Sequence, residues 1–184
     1  MSLVYLVRHA EKRSEPGDPG LTERGGWQAA QTALWLSGVG LHAVYSSPLC
    51  RAWQTAAPIA RATGLDVRRD ERLRERMNWD GVEPIEDFLA AWSRCVRDRD
   101  FVPRMGDSSR QAGARLHAFL QDRVDEPGAV AAVTHGGVTA DLLRTLVGDD
   151  RVPAEVVHHG IPSCAITVLD GSTVVDVARM DHLS

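Results

Sequence analysis

The sequence predicts an α/β domain in three layers, a mainly parallel sheet with helices on both faces, and three observations carry that prediction. Two strand-like runs, residues 3–7 (LVYLV) and 129–133 (AVAAV), are apolar throughout instead of alternating, as strands covered on both faces are. Strand-like runs alternate along the chain with stretches of helical spacing, which is the pattern of parallel pairing through crossover helices. Near the end, Asp170-Gly171 between two apolar stretches marks a hairpin.

Each element has its own signals. Residues 3–7 belong at the centre of the sheet. The loop 17–20 precedes a helix over 22–37, with Thr22 as N-cap, Trp27, Ala30, Leu34 and Trp35 as its apolar stripe, and Gly38 and Gly40 as its stop. Residues 42–46 (HAVYS) form a second strand; Ser47 caps the helix that follows, Pro48 occupies its first turn and Gly64 ends it. Val67 marks a third, short strand, and Leu73 lies in an arginine-rich segment leading to a turn at Asp80 and Gly81. Helical spacing returns over 84–96 at Phe88, Leu89 and Trp92, inside an excursion from about 80 to 106 that reads as an inserted lid. Ser108 or Ser109 opens a helix with Ala112, Leu116, Phe119, Leu120 and Val124 inward, stopped by Pro127 and Gly128. After 129–133 the chain turns at once into a helix with Val138, Leu142 and Leu146 inward and Gly148 as its stop. The hairpin strands, 164–169 and 174–178, belong at the sheet edge. No repeat, low-complexity tract or linker divides the chain, so 1–184 reads as one domain.

Composition narrows the function. A formal charge of −4, from 25 acidic and 21 basic residues, gives no footing for nucleic acid or an anionic membrane. No apolar window is long enough to span a bilayer, and no basic leader or apolar signal core precedes Arg8, so a cytoplasmic protein is expected. Cys50, Cys95 and Cys164 are odd in number and lack any C-x-x-C pair. They argue against a disulfide framework and a structural zinc site, and each is expected to be a buried small apolar residue.

In an open α/β sheet, ligands bind beyond the carboxyl ends of the strands, and the unusual polar residues fall there. Arg8 and His9 follow the first strand, Arg51 lies in the first turn after the second, and His135, Gly136 and Gly137 follow AVAAV. Like charges repel, so their convergence needs an anion. Arginine forks match phosphate oxygens bidentately, a helix N-terminus adds N–H donors, and glycines after His135 allow close approach of the backbone. An imidazole kept neutral by neighbouring arginines is a competent nucleophile toward phosphorus. Glu75, between Arg74 and Arg76, is the best proton donor for the leaving alkoxide.

LVRHAEK, SSPLCRAWQTA, LRE, the GDSSRQAGARLHAFL helix and THGG together resemble the histidine phosphatase superfamily, which includes cofactor-dependent phosphoglycerate mutases and related small bacterial phosphatases. The order and spacing match from residue 3 to about 169. The resemblance implies that His9 is the phosphorylated nucleophile, that Arg8, Arg51 and His135 form the phosphate pocket with Gly136, that Glu75 is the proton donor, and that the fold is a three-layer α/β/α sandwich. Ala10 stands where the family usually has glycine, KRSEPGD where many members carry a phosphate-touching asparagine, and RMNWDG where WEG is usual.

Taken singly, each of these residues has a plain structural reading, and it is their joint placement that points to catalysis. Trp79 and Arg76, beside Glu75, and His158 are candidate substrate contacts; His158 and His159, adjacent in sequence, diverge and lack a third metal ligand. The tryptophans at 27, 35, 53 and 92 read mostly as packing residues. The arginines at 68, 69, 72, 74 and 76 read as a solvated face able to steer an anion. A metal-free, cofactor-free phosphatase acting on a small phosphorylated substrate, or on a phosphorylated protein, is the expected function. A mutase sharing the first step and a non-catalytic phosphate-binding protein are its rivals.

Overall fold

The computed structural model describes residues 3–184, so Met1 and Ser2 of the expected 1–184 domain lie outside the described residues. Six strands form one sheet: β1 (Leu3–Arg8), β2 (Leu41–Ser46), β3 (Val67–Arg69), β4 (Ala129–Thr134), β5 (Ile166–Asp170) and β6 (Thr173–Arg179). Their order is β3-β2-β4-β1-β5-β6. β1, β4, β2 and β3 pair in parallel, and β5 and β6 join antiparallel. The hairpin is therefore not wholly peripheral: β5 is an inner strand against β1, and β6 forms that edge, with β3 at the other.

The described residues form six helices, α1 (Glu23–Ser37), α2 (Cys50–Thr63), α3 (Ile85–Arg97), α4 (Ser109–Gln121), α5 (Gly136–Val147) and α6 (Ala154–His159). Because strand side chains alternate, Val4 and Leu6 of β1 and Val130 and Ala132 of β4 join Leu116 and Phe119 of α4 and Leu142 of α5. Val7, Ala131 and Val133 point the other way, to Leu36 of α1 and Ala56 and Ile59 of α2. Each face has its own core, which explains the unbroken apolar runs and gives the expected three layers.

The caps largely agree with the sequence. The Thr22 hydroxyl accepts from Gly25 N at 3.0 Å, Ser108 and Gln111 form a reciprocal capping box, and Gly64 ends α2 in the left-handed region at φ 71°. Other expectations fail. The buried face of α1 is Gln28, Ala29, Thr32, Ala33 and Leu36; Trp27 and Leu34 are 47% and 69% exposed. Ala29 and Ala33 let α1 pack closely on its inner face, and of the expected stripe Trp35 is half-buried against the core while Trp27 and Leu34 point outward. Trp53 of α2 is exposed as well, Val124 lies beyond the end of α4, and Cys50 is only half-buried. Ser47 does not cap α2, whose start is held by Asp18, both carboxylate oxygens lying 2.8 Å from Cys50 N.

Of the five arginines expected as a solvated face, Arg68 and Arg69 are exposed, and the other three are pinned to carboxylates. Arg72 pairs with Asp70 and Asp122, Arg74 with Asp107, and Arg76 with Asp141. Arg115 pairs with Asp107 and donates to the carbonyls of Arg72 and Arg74. The Thr134 hydroxyl donates to the Leu73 carbonyl at 2.7 Å, which ties this segment to the end of β4. Glu75 is placed two residues beyond that tie.

Candidate active site

Strand register builds the centre of the site. Arg8 pairs with Thr134 at the ends of the parallel β1 and β4, so the next residues, His9 and His135, emerge side by side, their ring centroids 5.1 Å apart. The His9 amide donates to the Thr134 carbonyl at 2.9 Å. On the other side Ser46 pairs with Val133, and Ser47 N donates to the Val133 carbonyl, which puts the Ser47 hydroxyl 2.7 Å from His135 Nε2. Three strand ends thus deliver Ser47, His135 and His9 in a row.

His9 has a defined orientation. Its Nδ1 lies 2.7 Å from the Ala10 carbonyl oxygen, an acceptor only, so Nδ1 carries the proton and Nε2 keeps its lone pair. The Ala10 amide is held in turn by the Thr55 hydroxyl at 3.0 Å, so alanine serves this backbone role without a glycine. Burial, then the charges of Arg51 and Arg8, keep His9 well below the usual imidazole pKa. His135 is depressed likewise, by burial first and then by His9 and Arg51. Both rings are therefore neutral at neutral pH.

Arg8 and Arg51 flank His9 along a cavity of about 440 Å³. Arg51 is 3% exposed; it donates to Asn78 Oδ1 at 3.0 Å and lies 3.6 Å from Asp18. Arg8 reaches the Ile161 carbonyl. Burial lowers both guanidinium pKa values, opposed by the nearby Glu75 charge. Among the described residues, Arg8 Nε and Arg51 Nε and Nη1 are buried without a hydrogen-bond partner, unmet donors on two cavity-lining cations that an anion suits. Among the described residues, no three His, Cys, Asp or Glu side chains gather in a form able to hold a metal.

The N-terminus of α5 serves a different ligand from the expected phosphate. Gly137 N and Val138 N donate to the Glu75 carboxylate at 3.0 and 2.7 Å, and Arg76 N donates to it at 2.8 Å. Gly137 gives them room: a Cβ at this position would stand 2.8 Å from Glu75 Oε1 and 2.6 Å from Trp92, so that these side chains would have to shift. At Gly136 the crowding comes from the Ile161 backbone, 2.9 Å from such a Cβ, with Arg8 Cδ at 3.2 Å. These glycines admit a carboxylate and a loop rather than exposing N–H donors to phosphate.

The cavity wall includes Glu75 and Trp79, as the sequence suggested. His135 lies behind His9, fully buried and off the cavity surface. Arg76 is not a wall residue: it is 2% exposed and turned into Asp141. His158 is also elsewhere, at the end of α6 beside a separate cavity lined by Asp149, Asp150 and Pro153. Sequence reasoning missed Ser47, Asn78, Lys12 and Asp18. For Asn78 its place within RMNWDG was the available signal; the others needed the tertiary neighbours.

The family model for the histidine phosphatase superfamily (branch 1) matches residues 4–174. A probable phosphoglycerate mutase of Enterobacter sp. (strain 638) is 31% identical, over 92% of this chain and 85% of that protein. One from Yersinia pestis (strain Pestoides F) is 34% identical at the same coverage. Among solved structures, mycobacterial glucosyl-3-phosphoglycerate phosphatase complexed with inorganic phosphate superimposes with a TM-score of 0.80 at 27% identity, covering 100% of both chains. The Bacillus stearothermophilus protein YhfR gives 0.77 at 26% identity, again over 100% of both. With a match running almost the length of the chain, this protein belongs to the histidine phosphatase superfamily, branch 1.

Proposed function

We propose that the protein is a metal-independent phosphomonoesterase working through a covalent phosphohistidine at His9. The observation that carries this reading is the 2.7 Å contact of His9 Nδ1 with the Ala10 carbonyl, in a ring held neutral beside Arg8 and Arg51. That geometry leaves Nε2 as an unprotonated nucleophile where two cations are able to hold the phosphoryl oxygens.

In the first step the Nε2 lone pair forms the N–P bond as the ester P–O bond breaks, and the departing alkoxide takes a proton from the Glu75 carboxyl. In the second, the Glu75 carboxylate takes a proton from water, the water oxygen bonds to phosphorus, and the N–P bond breaks to release inorganic phosphate. Arg8 and Arg51 neutralise charge throughout, and His135, oriented by Ser47, backs the nucleophile. The segment 80–106 acts as a lid, since Ile85, Phe88 and Trp92 of α3 line the cavity. Among the described residues no helix is long and apolar enough to cross a membrane, and a small phosphorylated compound in the cytoplasm is the substrate this reading implies.

The test is hydrolysis of p-nitrophenyl phosphate with EDTA present, by the wild type and by His9→Ala. Activity that survives chelation and disappears in the variant supports the reading; equal activity in both contradicts it. The names of the Enterobacter and Yersinia relatives favour a second reading, a mutase. Incubation with 3-phosphoglycerate separates the two: a mutase yields the isomeric phosphoglycerate, whereas a phosphatase forms none of it and hydrolyses p-nitrophenyl phosphate. A non-catalytic phosphate-binding protein does neither.

A further inference from the structure

The cavity wall divides into a cationic part and an apolar part. Arg8, Arg51 and His9 make the first, and Lys12 belongs with them: burial, then the charges of Arg51 and Arg8, lower its pKa, so the three cations lie within electrostatic reach. Arg8 and Arg51, beside His9, face the phosphoryl group, and the Lys12 ammonium donates to the Arg13 carbonyl at 3.1 Å. The apolar part is Met77, Trp79, Ile85, Phe88 and Trp92.

The polar groups near that apolar wall are already engaged. The Trp79 indole N–H donates to the Glu83 carbonyl at 2.9 Å. Asn78 accepts from Arg51 at 3.0 Å and donates to the Gly17 carbonyl at 2.7 Å. Arg76, the cation nearest in sequence, is committed to Asp141, its guanidinium carbon 4.2 Å from the centre of the Trp92 ring. A carboxylate on a leaving group packed against Phe88 and Trp92 would be desolvated without a partner, the cavity's remaining polar groups, Ser14 and Glu15, being exposed. An aromatic ring would instead lie among Phe88, Trp92 and Trp79.

Resting on the phosphatase reading, we propose that the alcohol this site releases is aromatic or bulky and apolar, and that glycerate and sugar phosphates are poor substrates. Phe88 and Trp92 of the lid segment are the specificity-determining residues.

The experiment compares kcat/KM for benzyl phosphate and for 3-phosphoglycerate, both of which release an alkoxide, in the wild type and in Phe88→Ala. Preference for benzyl phosphate by about tenfold or more, narrowed severalfold in the variant, is the expected result. Equal rates or a preference for 3-phosphoglycerate would overturn the proposal. A parallel calorimetric titration with benzylphosphonate and 3-phosphonopropionate, which cannot be hydrolysed, gives a readout independent of turnover. Tighter binding of benzylphosphonate that is weakened in Phe88→Ala upholds the substrate class even if no hydrolysis is seen, in which case the phosphatase reading alone has failed. Equal binding of the two phosphonates, or tighter binding of the carboxylated one, overturns the substrate class whatever the activity.

Discussion

The guanidinium of Arg76 meets both carboxylate oxygens of Asp141 at 2.8 Å, and neither side chain is more than 2% exposed. Glu75 precedes Arg76, and Trp92 stacks on its guanidinium, so the pair anchors the proton donor and one cavity wall together. Removing one partner strands a buried charge: Asp141→Ala should lose about 3–5 kcal/mol of stability, measured by urea unfolding.

The same carboxylate has a pH signature. Burial pushes Asp141 up to about 6, against the pull of Arg76 and the Ser109 hydroxyl. Unfolding returns it to the ordinary carboxylate range of about 4, so between those values the folded state binds more protons and stability falls as pH rises. Asp141→Asn removes the titration, so its stability relative to wild type should improve as pH goes from about 4 to about 6.5. A difference independent of pH would show that Asp141 does not titrate in that window.

His9 carries the opposite sign. Its imidazole is held well below the usual value of about 6.5 by burial and by Arg51 and Arg8. The unfolded chain therefore takes up a proton there as pH falls below about 6.5 and the folded one does not, so this site favours unfolding on acidification. In activity, the acid limb of kcat/KM set by His9 should lie well below that value. Arg51→Met should move that limb to higher pH while weakening phosphate binding, read from the two pH–rate profiles.

Gly137 tests the placement of Glu75. A methyl group there would collide with Glu75 Oε1 and Trp92. Gly137→Ala should lower kcat at least tenfold through a displaced carboxylate, with about 1–3 kcal/mol of lost stability from overpacking.

Ser47 and His135 give a milder case. The hydroxyl 2.7 Å from His135 Nε2 fixes a ring whose Nδ1 has no partner of its own. Ser47→Ala should cost about 1–3 kcal/mol in unfolding experiments and reduce kcat more than it changes KM.

What the sequence discloses and what it withholds follow from the range of the interactions involved. β1 and β4 are legible because strands buried on both faces are apolar without a break, and His9 and His135 are legible because such strands end at the ligand edge. Thr22, Ser108 and Gly64 are local signals, complete within a few residues. The inward face of α1 is not legible from periodicity alone, which detects a stripe at Trp27, Ala30 and Leu34 without saying which side meets the sheet. Arg76 reads as an exposed cation because its partner Asp141 lies 65 residues away. Ser47 reads as a helix cap because nothing local announces His135, 88 residues on, as the group it meets.

The most direct test of the central claim is to quench the enzyme in base during turnover of a phosphomonoester and locate the phosphoryl group by mass spectrometry. The account predicts one acid-labile phosphoryl group on His9, absent from His9→Ala. A phosphoryl group on any other residue, or turnover with no phosphoenzyme at all, would contradict it.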